Sequence, residues 1–263
     1  MPAFATLYSG SSGNSTLIRT QDTALLVDMG GSCKRTLDAL YSLGCAARDI
    51  RGILVTHEHS DHVAGLYIFL KNYPVPVYGS ARTLDYLRRR SLVPAGAALV
   101  PVEAHEGFAV GDIGAEGFRT SHDSEDCFGY RFSFGNGASM AVATDLGCVT
   151  DDVYGSLCGC ELVALESNYE DEMLIGGRYP YYLKARIRSR SGHLSNAECA
   201  ACAARLAQTG TRRLVLMHLS RDNNTPDVAL TDCLSALENY GVPEDSFRVS
   251  VAPRFDVGEL IEL

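Results

Sequence analysis

The chain has 263 residues, a formal net charge of −9, and 46% hydrophobic against 21% charged residues. This globular profile excludes a disordered or low-complexity protein. With no apolar run of about 18 residues, a helical membrane span is also excluded. Acidity excludes a nucleic-acid binder that works by overall charge alone, so any phosphate-bearing substrate must be held by a local basic patch, by metal, or by both.

The N-terminus "MPAFATLYSG" has no basic region followed by an apolar core, so no secretory signal is expected. The nine cysteines are odd in number and lie mostly beside Ala and Gly. Cys199 and Cys202 have C-x-x-C spacing, but within a helical pattern and with no matching second pair. The expectation is small buried apolar residues in a reducing cytoplasm.

In chain order, "FATLY", "STLIR" and "ALLVD" read as short strands, and "KRTLDALYSLG" as a helix closed by Gly. "GILVT" is a buried strand, "HVAGLYIFLKNY" one continuous helix, and "TLDYLRRR" a helix with a solvated arginine face. Residues 108–143 are strand-rich: "IGAEGFRT", "FGYRFSF", "ASMAVAT". Then "ELVALE" and "RRLVLMH" read as strands, with "NAECAACAARLAQTG" and "PDVALTDCLSALENYG" as helices. No linker or internal repeat divides the chain, so one domain over 1–263 is expected, with sheets packed together and helices outside.

The densest chemical signal is "THEHSDH": His57, His59, Asp61 and His62 lie directly after the strand "GILVT". Loops at strand carboxyl ends are where α/β folds place ligands. Imidazole with carboxylate suits zinc and related divalent metals. A helix start would explain Asp61 as a cap, but not three histidines at this spacing. His122 in "FRTSHDS", Asp145 in "MAVATDLG" and His218 in "LVLMHLS" also follow apolar strands. That shared position makes them candidate ligands too.

This pattern, H-x-H-x-D-H followed by a distal His, an Asp and a further His, resembles the metallo-β-lactamase superfamily. The segments "SGSSGNSTLI", "ILVTHEHSDH", "ATDLG", "LESNYEDEML", "GRYPYYLKARIRSRSGHLSN" and "HLSRDNNTP" resemble its YycJ/WalJ-type branch of cytoplasmic exonucleases acting 5′ to 3′ on DNA. The resemblance implies a four-layer αββα sandwich of the α/β class and two divalent ions, zinc or manganese with iron as a further option. It implies His57, His59 and His122 for one ion, Asp61, His62 and His218 for the other, and Asp145 between them. It further implies a shared hydroxide as nucleophile. Asp61 is also placed among the catalytic groups. Asp28 in "LLVDMG" matches a family Asp that orients a ligand histidine, though a turn Asp before Gly-Gly accounts for it equally.

The triplet HLS occurs twice, at His193 and His218. Ser195 and Glu198 form an S-x-x-E capping box, which puts His193 just ahead of a helix. A helix of about 12 residues rises roughly 18 Å and the following strand returns about 20 Å. The two histidines are therefore expected at one end of the molecule. A helix start favours anions, so His193 is expected to donate a proton or contact phosphate and His218 to hold metal. A helix-entry residue bonded to backbone is the plainer account of His193.

The stretch leading to His193 carries Arg178, Lys184, Arg186, Arg188 and Arg190 with Tyr179, Tyr181 and Tyr182 and no acid. Lys184, Arg186 and Arg188 are taken as substrate-binding, against the plainer alternative of a solvated helix face. Ser11 and Asn14 in "SGSSGNS" offer an anion nest or a tight turn. Ser220 and Asn223, in "HLSRDNNTP", contact substrate or cap a helix. His105 is expected on a surface loop.

The expected activity is metal-dependent phosphodiester hydrolysis, as a 5′-to-3′ DNA exonuclease. Two alternatives stand beside it: hydrolysis of a small thioester, lactone or phosphodiester, and a non-catalytic metal-dependent binding or regulatory protein. A missing ligand would favour the latter, and none is missing.

Overall fold

A computed structural model describes residues 1–263. The first sheet begins with β1 (Ala3–Tyr8), β2 (Ser15–Arg19), β3 (Ala24–Val27), β4 (Ile50–Leu54), β5 (Val77–Gly79) and β6 (Leu99–Pro101). The second holds β7 (Gly107–Val110), β8 (Ile113–Arg119), β9 (Phe128–Ser133), β10 (Ser139–Ala143), β11 (Leu162–Glu166), β12 (Arg213–Met217) and β13 (Arg248–Val251). The last strand, β14 (Ile261–Glu262), returns to pair with β1. The spatial orders are β14-β1-β2-β3-β4-β5-β6 and β13-β12-β11-β10-β9-β8-β7. In each sheet one half is antiparallel and the other, β3 to β6 or β10 to β13, is parallel.

Three apolar cores define four layers. Phe4, Ile18, Leu25 and Leu54 of the first sheet meet Phe128, Tyr130, Met140 and Val215 of the second. The opposite face of the first sheet (Leu17, Leu26, Ile53) packs on α1 (Cys33–Ser42), α3 (Leu66–Asn72) and α4 (Ala81–Arg89). The outer face of the second (Ala141, Val163, Leu216) packs on α5 (Asp151–Leu157), α8 (Asn196–Ala207) and α9 (Pro226–Asn239). The central strands are covered on both faces, so they read as continuous apolar runs rather than alternating ones. The αββα sandwich is the architecture expected.

The helix expected over 62–73 is broken. A short α2 (Ser60–Val63) ends before Gly65, and α3 begins after it. The cause is packing: a Cβ on Gly65 would lie 2.2 Å from the Gly31 carbonyl oxygen, and Gly65 N–H donates to Met29 O at 2.9 Å. Gly30 likewise lies so close to Asp61 that its Cβ would stand 1.6 Å from the Asp61 oxygen. The turn after β3 thus presses on the loop after β4 and fixes its path.

Two short helices lead into the segment before α8: α6 (Asp171–Gly176), which had no sequence-based expectation, and α7 (Tyr181–Ile187), within the basic stretch whose plainer reading was a helix face. The Ser195–Glu198 capping box forms, with Ser195 Oγ accepting from Glu198 N–H at 3.2 Å. All nine cysteines are free, and all but the half-buried Cys158 are buried. No helix is long and apolar enough to cross a membrane.

Candidate metal centre

The strand ends converge at one edge of the sandwich. Register explains how: in the parallel ladder Ala143 pairs with Leu165, Leu165 with Leu216, and Glu166 with Met217. Residues just past these positions therefore come out side by side. Asp145 follows β10, Glu166 closes β11, and His218 follows β12. In the other sheet Asp28 follows β3 and His57 follows β4.

Three of these residues, Asp28 (φ 60°), Asp145 (φ 55°) and His218 (φ 56°), sit in the left-handed region that L side chains seldom adopt. Each turn is held from outside. The Asp28 carbonyl accepts from Ser15 Oγ at 2.8 Å and that of Asp145 from Thr120 Oγ1 at 3.2 Å. Around His218, Ser9 Oγ accepts from its N–H at 2.8 Å and Asn168 Nδ2 donates to its carbonyl at 2.8 Å.

Potential ligand atoms of His57, His59 and His122 lie within 4.8 Å of one another, as do those of Asp61, His62 and His218. Asp145 stands between the sets: its Oδ1 is 3.6 Å from His122 Nε2 and its Oδ2 3.1 Å from His62 Nε2. His57 Nε2, His218 Nε2 and Asp145 Oδ2 are buried without any hydrogen-bond partner. A buried polar atom left unpaired costs about 1–3 kcal/mol, so three in one cluster need an explanation. Divalent cations, one in each set with Asp145 between them, would satisfy all three, since each atom offers a lone pair to the cluster.

Ring orientation fits the same reading. His57 Nδ1 is 3.0 Å from Thr56 Oγ1, His62 Nδ1 is 2.8 Å from Asp28 Oδ2, and His122 Nδ1 is 2.9 Å from the Gly192 carbonyl. With Nδ1 tied outward, Nε2 points inward, as in metal-ligating histidines whose tautomer is set by an outer partner. Asp28 also accepts from Thr56 N–H and Oγ1, both at 2.8 Å. It therefore touches His62 directly and is more than a turn residue.

The electrostatics call for positive charge. Burial alone would lower His62 and His218, yet the carboxylates of Asp145, Asp28 and Asp61 push His62 well above its ordinary range. Asp145, Asp61 and Glu166 likewise push His218 up to about 10. Burial and the neighbouring histidines hold His57 well below its ordinary value, neutral as a ligand must be.

Sequence reasoning missed Glu166. It is fully buried, and Oε1 accepts from His193 Nδ1 at 2.7 Å and His218 Nδ1 at 2.9 Å, while Oε2 accepts from Leu146 N–H at 2.8 Å. The signal was present: a carboxylate closing the apolar strand "ELVALE", the same criterion that singled out Asp145.

His193 lies with its ring centroid 5.3 Å from that of His218 and 5.1 Å from that of His122. Its side chain is 17% exposed. Burial would lower its pKa, but Glu166 and Asp145 raise it above the usual value. Its partner is thus a side-chain carboxylate, while its backbone N–H donates to Ile187 O at 2.9 Å.

The residues expected to bind substrate divide. Asn14 lies in the cluster, its Nδ2 3.1 Å from His62 Nε2 and 3.5 Å from Asp61 Oδ2. Ser11 is exposed at the tip of the same turn. Ser220 and Asn223 are buried, and Ser220 Oγ accepts from Asn223 N–H at 3.2 Å. Lys184 Nζ donates to the Ile175 and Gly177 carbonyls at 2.6 and 2.7 Å, closing the end of α6. Arg186 makes a two-pronged pair with Asp123 at 2.6 and 3.0 Å, beside His122, and Arg188 pairs with Asp171 at 3.3 Å. His105 lies on a surface loop and pairs with Asp152 at 2.9 Å.

Comparison with known proteins adds the lineage. A model of the beta-lactamase superfamily domain matches residues 26–219. Exodeoxyribonuclease YycJ of Bacillus anthracis is 35% identical over 266 residues, covering 99% of this chain and 93% of its own. Exodeoxyribonuclease WalJ of Streptococcus pneumoniae serotype 2 is 34% identical over 228 residues, covering 86% of this chain and 84% of its own. The fold is shared with the metallo-β-lactamase fold protein YhfI from Bacillus subtilis (TM-score 0.76, 18% identity, all of both chains). It is shared too with Zn(2+)-bound PqqB from Methylobacterium extorquens (TM-score 0.71, 17% identity, 99% of this chain and 100% of that one). The chain therefore belongs to the metallo-β-lactamase superfamily, among its YycJ/WalJ-type members, and is a metal-dependent hydrolase.

Proposed function

We propose that the whole chain is one hydrolase domain acting in the cytoplasm as a 5′-to-3′ DNA exonuclease with two divalent ions, zinc or manganese. His57, His59 and His122 would hold one ion, Asp61, His62 and His218 the other, and Asp145 both. The observation that carries this reading is the pairing of three orphaned ligand atoms with a further histidine, His193, bound to the Glu166 carboxylate beside them. The names of the YycJ and WalJ relatives supply the substrate class.

Bound divalent ions supply Lewis acidity, drawing charge from phosphoryl oxygens and making water acidic enough to attack near neutral pH. Asp61, whose side chain is 22% exposed, faces the cavity and orients the attacking water. Water adds to phosphorus as the P–O3′ bond breaks. The departing O3′ takes a proton from His193 Nε2, the nitrogen left free when Nδ1–H donates to Glu166. The carboxylate stabilises protonated His193, so the acid is charged and aimed before the bond breaks. Asp28 holds His62 with Nε2 inward.

The test pairs two variants with a nuclease assay. Incubation with 5′-labelled single- and double-stranded DNA plus manganese or zinc is expected to release mononucleotides. His193→Ala is expected to keep its metal and lose about 10²–10⁴-fold in rate, the usual contribution of general acid–base catalysis. His218→Ala is expected to lose metal on elemental analysis. If His193→Ala empties a metal position, or RNA or ester substrates are cleaved in place of DNA, the reading is wrong.

A further inference from the structure

The cations that precede His193 in sequence are largely engaged: Lys184 closes a helix, and Arg186 and Arg188 face carboxylates. A different pair of arginines near the cluster, Arg254 and Arg221, forms no ion pair. Arg254 lies after β13, beyond the residues matched by the family model. Its Nη2 donates to the carbonyl of Leu219, the residue following His218, at 3.2 Å. Its stem runs against Gly10, where a Cβ would stand 3.5 Å from Arg254 Cγ and 3.7 Å from Nε.

Arg254 therefore fills the gap between two loops that reach the metal cluster. One is the turn whose Ser9 holds His218 N–H and whose Asn14 meets His62. The other is the loop continuing from His218. The segment is anchored: Arg35 Nη2 donates to the Arg254 carbonyl at 2.9 Å, and Arg35 itself stacks 4.2 Å from the Tyr8 ring centroid.

The loop that Arg254 touches carries a second cation, Arg221, two residues past Leu219. Burial and the charge of Arg221 both lower the Arg254 pKa, and the nearby Asp222 and Tyr179 oppose them. The Asp222 carboxylate accepts the Tyr179 hydroxyl at 2.9 Å rather than bridging the arginines. Arg221 is exposed at the surface. Two cations carried by adjoining segments can share one anion, whose negative charge offsets theirs. Guanidinium groups also match phosphate geometry with paired donors.

We propose, building on the nucleic-acid reading above, that Arg254 and Arg221 form a seat for a phosphate of the substrate strand adjoining the one cleaved. The seat takes either a backbone phosphate or the terminal 5′-phosphate. It holds the strand in register on the His218 side of the cluster, where Arg254 meets the Leu219 carbonyl.

The test uses the full-length protein with Arg254→Gln, Arg221→Ala and the double variant. Arg221→Ala removes a charge at an exposed position, which separates loss of binding from loss of fold. Each single variant is expected to raise KM for single-stranded DNA about tenfold with kcat changed less than twofold. Each is also expected to reduce the slope of log affinity against log salt by about 0.7, the value for one phosphate contact on a single strand. Affinity is read independently of turnover, by anisotropy of a 3′-fluorescein decamer with 5′-phosphate or 5′-hydroxyl. A change confined to the phosphorylated decamer assigns the seat to the terminus, and equal changes assign it to the backbone. Unchanged KM and salt slope in an active double variant would overturn the seat and leave the nuclease reading standing. Arginine-dependent binding without cleavage would keep the seat and remove the nuclease reading. No binding by the unsubstituted protein would remove both.

Discussion

The two halves of the molecule build their share of the cluster in different ways. The first sheet contributes one loop, in which His57, His59, Asp61 and His62 lie within six consecutive residues, steadied by Asp28 on the neighbouring strand. The second contributes single residues, His122, Asp145, Glu166 and His218, at or just past the ends of four separate strands. The first set is local: the crowding of Gly30 and Gly65 shapes the loop and the four side chains follow. The second exists only when these strands, three of them parallel, lie in the right register, because a shift of one residue turns every side chain to the opposite face. A compact motif can thus specify half a site, while sheet register must supply the rest.

The most severe break should come at the residue that joins the two halves. Asp145→Ala removes the carboxylate between both ligand sets and leaves His62 and His122 facing each other without it. It is expected to lower metal content at both positions and to reduce activity more than about 100-fold, the upper range for losing a ligand's outer partner. Elemental analysis and DNA turnover measure both.

The outer partners sharpen the comparison. Asp28 touches only His62 among the histidines, whereas Glu166 serves both His218 and His193. Asp28→Asn should weaken metal binding about 10–100-fold, with kcat largely restored at saturating metal. Glu166→Gln should weaken metal similarly and keep a reduced kcat even at saturation, because His193 has lost the carboxylate that raises its pKa. Equal recovery of both variants would mean that the second sheet positions only metal.

The smallest effect is expected at Lys184, whose ammonium group closes α6. Lys184→Met should cost about 1 kcal/mol in thermal unfolding, since two charge-assisted bonds are lost near the surface. KM for DNA should change less than twofold. A larger rise would return this lysine to the substrate path.

Legibility in the sequence follows the same division. Packed sheets with helices outside, the 57–62 motif and the strand-end positions of His122, Asp145 and His218 were readable, since apolar runs ending in a polar residue mark both strand and site, while the αββα layering followed from the family resemblance. The meeting of His193 and His218 followed from helix and strand lengths. Glu166 closes its own apolar strand and was legible by the same rule, whereas β5 and β6 are too short to show periodicity. The break at Gly65 depends on Gly31, which lies far from it in sequence. The ion pairs of the basic stretch were not readable, because Asp123 and Asp171 belong to other segments.

The left-handed backbone at Asp28, Asp145 and His218 has a consequence for how this fold can change. Each such residue costs of order 1–3 kcal/mol relative to a relaxed backbone. Glycine would remove that strain and the function together. Selection for heat resistance alone would therefore erode these three positions early, while selection for activity retains them against the interest of the scaffold. Durability and chemistry in this protein compete at the same three turns.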